Sequence, residues 1–141
     1  MFTITSEDIS PETLRSRVLD PASGGFCAFE GWVRNHHEGK DVTGLSYQSY
    51  IPLAETEGTK IIQEALERFE IEKAIAQHRI GDLGIGGLAI YAAVSAAHRE
   101  PAFTACQYIV DAIKARVPIW KKEHYPDAPS EWVECHHCHS H

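Results

Sequence analysis

The sequence predicts an α+β domain, a mostly antiparallel sheet with helices packed on one side. Three observations carry this. "FCAFEGWVR" over 26–34 alternates, with Phe26, Ala28 and Trp32 against Cys27, Phe29 and Val33, which is the two-residue period of a strand. "LAIYAAVSAA" over 88–97 is apolar almost throughout, as a central strand covered on both faces is. Ile61, Ile62, Ala65, Leu66 and Phe69 recur at helical spacing.

In chain order, "FTIT" near the N-terminus reads as a short strand. Ser10-Pro11-Glu12 starts a helix, with a Ser N-cap, proline at the first helical position and an acid in the first turn. That helix ends near Asp20-Pro21, and "SGG" turns the chain into the 26–34 strand. "NHHEGKD" is placed as the loop of a hairpin whose second strand is "VTGLSYQSY" over 42–50. A helix over 52–70 follows, opened by Pro52. "IEKAIAQHRI" and "LAIYAAVSAA" are two more strands joined by "GDLGIGG", which reads as a turn. Pro101 opens another helix with a buried stripe of Phe103, Cys106, Val110, Ile113 and Val117 and a polar stripe of Gln107, Asp111 and Lys114. Pro118 stops it, and "PIWKKEHY" and "EWVE" are extended.

The chain has 141 residues, long enough for one domain with a core that needs no disulfide staple. A single catalytic domain is expected over 1–134, with a flexible Cys/His-rich tail over 135–141. A formal charge of −7 argues against nucleic acid and anionic membranes, since both partners call for a basic face. No apolar run reaches the roughly 20 residues of a membrane span. "MFTITSEDIS" lacks the basic and apolar regions of a signal peptide. Cys27 and Cys106 sit singly in apolar contexts like buried thiols. These features predict a cytoplasmic protein.

Against that acidic background, "AHREPAFTACQYIVDAIKARVPIWKKE" concentrates cations: His98, Arg99, Lys114, Arg116, Lys121 and Lys122. One reading is structural, because lysines at a helix C-terminus meet the dipole and the orphan carbonyls. The other is an anion site holding a nucleophile or base. Crowded charge and burial lower a lysine's pKa, and a neutral amine takes a proton or attacks a carbonyl. "SAAHREP" ends a strand and opens a helix, a place where backbone N–H groups bind anions and where His98 and Arg99 would strengthen the binding. A straight helix puts its start and Lys114 roughly 20 Å apart. His98 and Lys114 of one chain therefore serve either two sites or one site assembled across a homodimer, and the second is favoured. Arg34 closes a strand beside a polar loop, where binding residues gather. Cys135 and Cys138, with the four histidines of "CHHCHSH", are zinc-type ligands or a tail that picks up metal adventitiously.

The motifs "VRNHHEG", "HRIGDLGIGG", "VSAAHREPAF", "DAIKARVPIWKKE" and "WVE" occur in an order and at spacings that resemble the large, catalytic subunit family of molybdopterin synthase, over nearly the whole length. The resemblance implies an α/β-hammerhead fold and a central homodimer with a small ubiquitin-like sulfur carrier on each end, a heterotetramer. It implies that the carrier's Gly-Gly tail, activated as a thiocarboxylate, enters a pocket where cyclic pyranopterin monophosphate receives two sulfurs and becomes molybdopterin with its dithiolene. The family's catalytic lysines fall on Lys114 and Lys121. Its substrate-binding positions fall on Arg34, on His98 and Arg99, and on the Lys122-Glu123 segment. The resemblance calls for no metal and no cofactor. Trp32 and His136 stand where the family often has basic residues. Two other classes remain: a non-catalytic anion-binding scaffold for a ubiquitin-like partner, and a metal-delivery protein acting through the tail.

Overall fold

The computed structural model describes residues 1–126 and 128–135. The chain opens with strand β1 (Phe2–Thr5) and helix α1 (Pro11–Val18). The Ser10 hydroxyl accepts from the Thr13 N–H at 3.4 Å, and Pro11 takes the first turn, as the residue types predict. Then come β2 (Gly25–Trp32), β3 (His36–His37), β4 (Lys40–Asp41), β5 (Gly44–Ser49) and α2 (Ile51–Arg68). The second half holds β6 (Lys73–Arg79), β7 (Gly81–Gly84), β8 (Leu88–Ala96), α3 (Arg99–Arg116), β9 (Ile119–His124) and β10 (Trp132–Glu134).

The strands build two four-stranded sheets. The first runs β1-β6-β8-β2, with β1 parallel to β6 and the other pairs antiparallel. The second runs β10-β9-β5-β7 and is antiparallel throughout. The α+β class is as predicted. Strand β8 is central in its sheet and covered on both faces. Ala92 and Val94 join the core under α2 and α3, while Tyr91 and Ala93 pack with Leu14 and Val18 of α1. The two long helices thus share one face, but short α1 closes the other, so the helices do not all pack on one side as the sequence suggested. Ala92, Ala93 and Ala96 are completely buried. Their small side chains let helices close tightly on the strand. Gly58 of α2 serves the same end: a Cβ there would lie 2.2 Å from the Phe2 ring. Among the described residues no helix is long and apolar enough to cross a membrane.

Phe103, expected in the buried stripe of the helix opened near Pro101, is instead 59% exposed, and three further local expectations change. The 26–34 and 42–50 strands do not form a hairpin: β2 pairs with β8, and β5 pairs with β7 and β9. The loop between them closes on itself as the β3–β4 hairpin around Glu38 and Gly39, both at positive φ, so the chain leaves one sheet for the other. β8 also offers β2 an eight-residue ladder, more backbone pairing than the six residues of β5 would supply. "GDLGIGG" contains β7, with Leu83 buried beside Leu45; four residues are too few to reveal a period. Finally, α3 starts at Arg99, with extended His98 as its cap. Pro101 falls within the first turn, where backbone N–H groups have no intrahelical acceptor, so it removes no bond.

In the second sheet, Ser46 on β5 donates to Asp82 on β7 and meets His124 Nε2 on β9 at 2.7 Å. This ties three strands together and fixes the register of β9, the strand that carries Lys121.

Candidate active site

Lys114 lies in the last turn of α3 and lines two spaces. One is a groove of about 310 Å³ between α3 and β2, walled by Cys27, Phe29, Phe103, Gln107 and Asp111. The predicted polar stripe Gln107-Asp111-Lys114 therefore borders this groove. Burial and neighbouring Cys27 push the Cys106 thiol up to about 12, so this thiol in the groove wall stays protonated. The second space is a cavity of about 30 Å³ shared with Trp32, Tyr47, His78 and Cys135, about the room of one water. A register shift between Gly31 and Trp32 bends the end of β2, and both residues line this cavity. The Trp32 indole donates to Glu30 at 2.9 Å.

His78 closes the cavity from β6. It is 7% exposed, its Nδ1 lies 2.8 Å from the Arg79 carbonyl, and its ring meets Tyr47 edge-on at 4.9 Å. A carbonyl only accepts, so Nδ1 carries the proton and Nε2 keeps its lone pair. Burial holds the imidazole's pKa down at about 4; the Arg79 bond works upward and the Lys114 charge downward.

Lys121 reaches the same neighbourhood from β9. Strand alternation puts Ile119, Lys121 and Glu123 on one face and Trp120, Lys122 and His124 on the other. Lys121 is 4% exposed and is registered between Tyr47 on β5 and Val133 on β10. It lines a cleft of about 340 Å³ with Lys40, Glu123, Tyr125 and Glu131. Tyr47 thus stands between the two lysines: it borders the Lys114 cavity and pairs with Lys121 across the strands. Lys122 takes the opposite face, its ammonium 4.9 Å above the Trp132 ring.

Arg34 joins this end of the molecule. Val33 exchanges backbone hydrogen bonds with Gly86 and Gly87 at 2.8 and 3.0 Å, pinning the chain just before Arg34. Arg34 Nη2 lies 3.5 Å from His37 Nδ1, and His37 Nε2 lies 4.0 Å from the Glu123 carboxylate. Arg34 is thereby linked through His37 to Glu123, which lines the cleft of Lys121, and Lys121 in turn pairs with Tyr47 of the Lys114 cavity.

His98 and Arg99 lie apart from these residues. They are exposed at the opposite end of α3, whose 18 residues separate the two ends by about 27 Å. Gly25 supports that end: a Cβ there would come within 3.2 Å of the Arg99 backbone.

Tyr47, His78, His37 and Lys40 were not singled out from the sequence. His78 left one signal, since it shares a face of β6 with Ala74 and Ala76, and an imidazole on an apolar strand face needs a reason. Cys135, assigned to the tail, packs against the core and borders the Lys114 cavity. His136, Cys138 and the rest of the tail lie outside the described residues. Among the described residues no cluster of three His, Cys, Asp or Glu is placed to hold a metal.

Comparison with known proteins supplies a relationship. The family model described as MoaE protein matches residues 4–116. The molybdopterin synthase catalytic subunit of Thermoplasma volcanium is 43% identical over 129 residues, covering 92% of this chain and 94% of that protein. Molybdopterin synthase from Staphylococcus aureus superposes with a TM-score of 0.89 at 37% identity, covering 94% of this chain and 96% of that one. A chain from the protein–protein complex of subunits 1 and 2 of molybdopterin-converting factor from Helicobacter pylori shares the fold, with a TM-score of 0.74 at 21% identity over 94% and 88% of the two chains.

Proposed function

The chain belongs to the MoaE family, and from that premise we propose that it is the large, catalytic subunit of a molybdopterin synthase. It moves sulfur from the C-terminal thiocarboxylate of a small ubiquitin-like carrier onto cyclic pyranopterin monophosphate in the cytoplasm. The observation that carries this reading is the chain of contacts that links Lys114, Lys121 and Arg34 through Tyr47, Glu123 and His37 in an otherwise acidic molecule, beside a groove of about 310 Å³. Residues 1–134 are the catalytic unit in this reading.

Each transfer forms a carbon–sulfur bond on the pterin in place of a carbon–oxygen bond there, whose oxygen departs from that carbon, and breaks the carrier's acyl–sulfur bond. Water ends on the acyl carbon and leaves the carrier as a carboxylate. Lys114 stands nearest the transferred sulfur. It moves the proton, or its amine accepts the acyl group transiently before water releases it. Lys121, buried on the far side of Tyr47, stabilises the charge that develops. Arg34 holds the anionic substrate together with Glu123 on the pterin's polar edge. Lys122 contributes its place between these two inward residues of β9.

The phosphate contacts are completed by a neighbouring subunit. β2 is the last strand of its sheet among the described residues, and Phe26, Phe29 and Trp32 are exposed along it, with Phe103 beside them. An exposed apolar edge of this kind suits a second copy of the chain. Antiparallel apposition of two β2 edges about a two-fold axis sets the Gly25 end of one strand against the Trp32 end of the other. It carries the neighbour's His98-Arg99 pair toward Lys114. The carriers then dock at the outer ends of this dimer, giving a heterotetramer.

The deciding experiment mixes the protein with thiocarboxylated carrier and cyclic pterin and measures dithiolene product, with Lys114→Ala in parallel. Product from the wild type and little from the variant is expected. A tight carrier complex that makes no product would replace this reading with the scaffold.

A further inference from the structure

An imidazole inside an apolar wall has to be accounted for. The space around His78 is lined by Ala89, Ile90, Ile113, Val117 and Ile119, where an aliphatic side chain would pack without desolvating a polar group. One ring nitrogen is satisfied locally by the carbonyl of the next residue. That bond leaves Nε2 as the ring's hydrogen-bond acceptor. The polar side chains that face it are Tyr47 from β5, Lys114 from α3 and Cys135 after β10. Tyr47 presents its ring edge-on to the imidazole. Of the three, the Lys114 ammonium is the strongest donor, and the shared cavity has room for about one bridging water.

We propose that His78 is a positioning residue for Lys114: its Nε2 accepts a hydrogen bond from the Lys114 amine, directly or through one water, and fixes where that amine points. This rests on the reading of Lys114 as the catalytic lysine. The contact explains why the position is a histidine and why its Nδ1 is locked. Rotation of the ring would exchange the nitrogens and present an N–H to the ammonium. The low imidazole pKa agrees, since a protonated His78 would repel its neighbour. Tyr47 buttresses the ring edge-on.

The test uses His78→Asn, whose amide can still donate to the Arg79 carbonyl but has nothing at the Nε2 position, and His78→Gln, which restores an amide there. Two readouts are taken on the full chain. One is product formation with carrier and pterin across pH. The other needs no turnover: competitive acetylation of Lys114 by acetic anhydride, followed by peptide mass spectrometry from pH 6 to 11. We expect His78→Asn to lower kcat by about 10- to 100-fold, the range a misplaced catalytic group costs, with the KM for carrier unchanged. Losing an acceptor of the charged form moves the Lys114 labelling midpoint down, by about one pH unit. His78→Gln should recover part of both. An unchanged midpoint and kcat in His78→Asn overturns the proposal, and if that variant does not fold, the same result in His78→Leu, which fills the apolar wall but offers no acceptor, does so. If the wild type makes no product, the functional reading falls, while the labelling midpoints still decide whether His78 engages Lys114.

Discussion

Lys114 and Arg116 sit two residues apart at the end of one helix and meet opposite surroundings. Arg116 lies across carboxylates of α2: its Nε and Nη2 reach Glu57 at 3.0 and 2.8 Å, and Nη1 and Nη2 reach Glu64 at 2.6 and 2.9 Å. Glu64 also accepts from the Tyr108 hydroxyl. The Arg116 hydrogen bond, then that of Tyr108, holds the Glu64 carboxyl down at about 2. Lys114 turns the other way, toward the groove, a phenol and a neutral imidazole. Each helical residue advances by about 100°, so two steps carry a side chain from one side of α3 to the other. The difference teaches that a cluster of cations in sequence is not one site. Arg116 is clamped for structure, and Lys114 is directed into the space where substrate and carrier would meet.

The comparison breaks most sharply at Lys114. Removing its amine by Lys114→Ala should lower the rate of dithiolene formation by about 10²- to 10⁴-fold, the usual contribution of a proton-transfer group. Arg116→Ala should leave the rate per folded molecule within about twofold, because its partners lie on the far face of α3. Equal losses in steady-state assays would erase the distinction between the two cations.

A second effect separates the two sides by acid. His78 titrates at about 4 in the fold, below its ordinary 6.5, so between these values the unfolded chain binds a proton that the folded chain refuses. Stability is then present above pH 6.5 and falls as the pH drops toward 4, by about 3 kcal/mol over that window. Denaturant titrations at several pH values should show this slope, and His78→Asn should remove it. Glu64 has the opposite kind of reference: its pKa is depressed from 4.5 to about 2. Its contribution is present above 4.5 and is lost only as the pH falls toward 2. In a pH series the Lys114 side therefore weakens before the Arg116 side does.

Packing offers the next test. Gly58→Ala drives a methyl group into Phe2 and should cost about 1–3 kcal/mol, as overpacked cores do. It disturbs α2, which carries Glu57 and Glu64, without touching a residue of the Lys114 cavity. Activity per folded molecule should survive. The smallest expected effect is that of Arg116→Ala on stability, about 1 kcal/mol and reduced by salt, because the cluster is partly exposed and solvent screens it. A salt-independent loss of several kcal/mol would mean that the clamp is buried more deeply than its exposure indicates.

Much of the fold was legible because its signals are local. Ser10 and Pro11 announce α1, Pro118 ends α3, and the apolar run 88–97 is the central strand. Those signals depend on side-chain period and on backbone chemistry within a few residues. Strand partners are not encoded that way. The 26–34 and 42–50 segments both have strand character, but the chain between them folds back on itself and sends them to different sheets. β7 was missed because four residues show no period, and the start of α3 was misplaced because proline is tolerated anywhere in a first turn.

The site divides along the same line. The sequence alone supplied the residue types, the family motifs, and the length argument that separates His98 from Lys114, since helix rise is a constant of the backbone. It could point to Lys114, Lys121 and Arg34 but could not say what surrounds them. Only the tertiary structure put Tyr47 between the two lysines, turned Lys122 away from Lys121, joined Arg34 to Glu123 through His37, and set His78 against Lys114. Those neighbours come from β3, β5, β6, β9 and α3. Their meeting depends on which strands pair and at what register, a cooperative choice made by burial across the whole molecule rather than by any one segment.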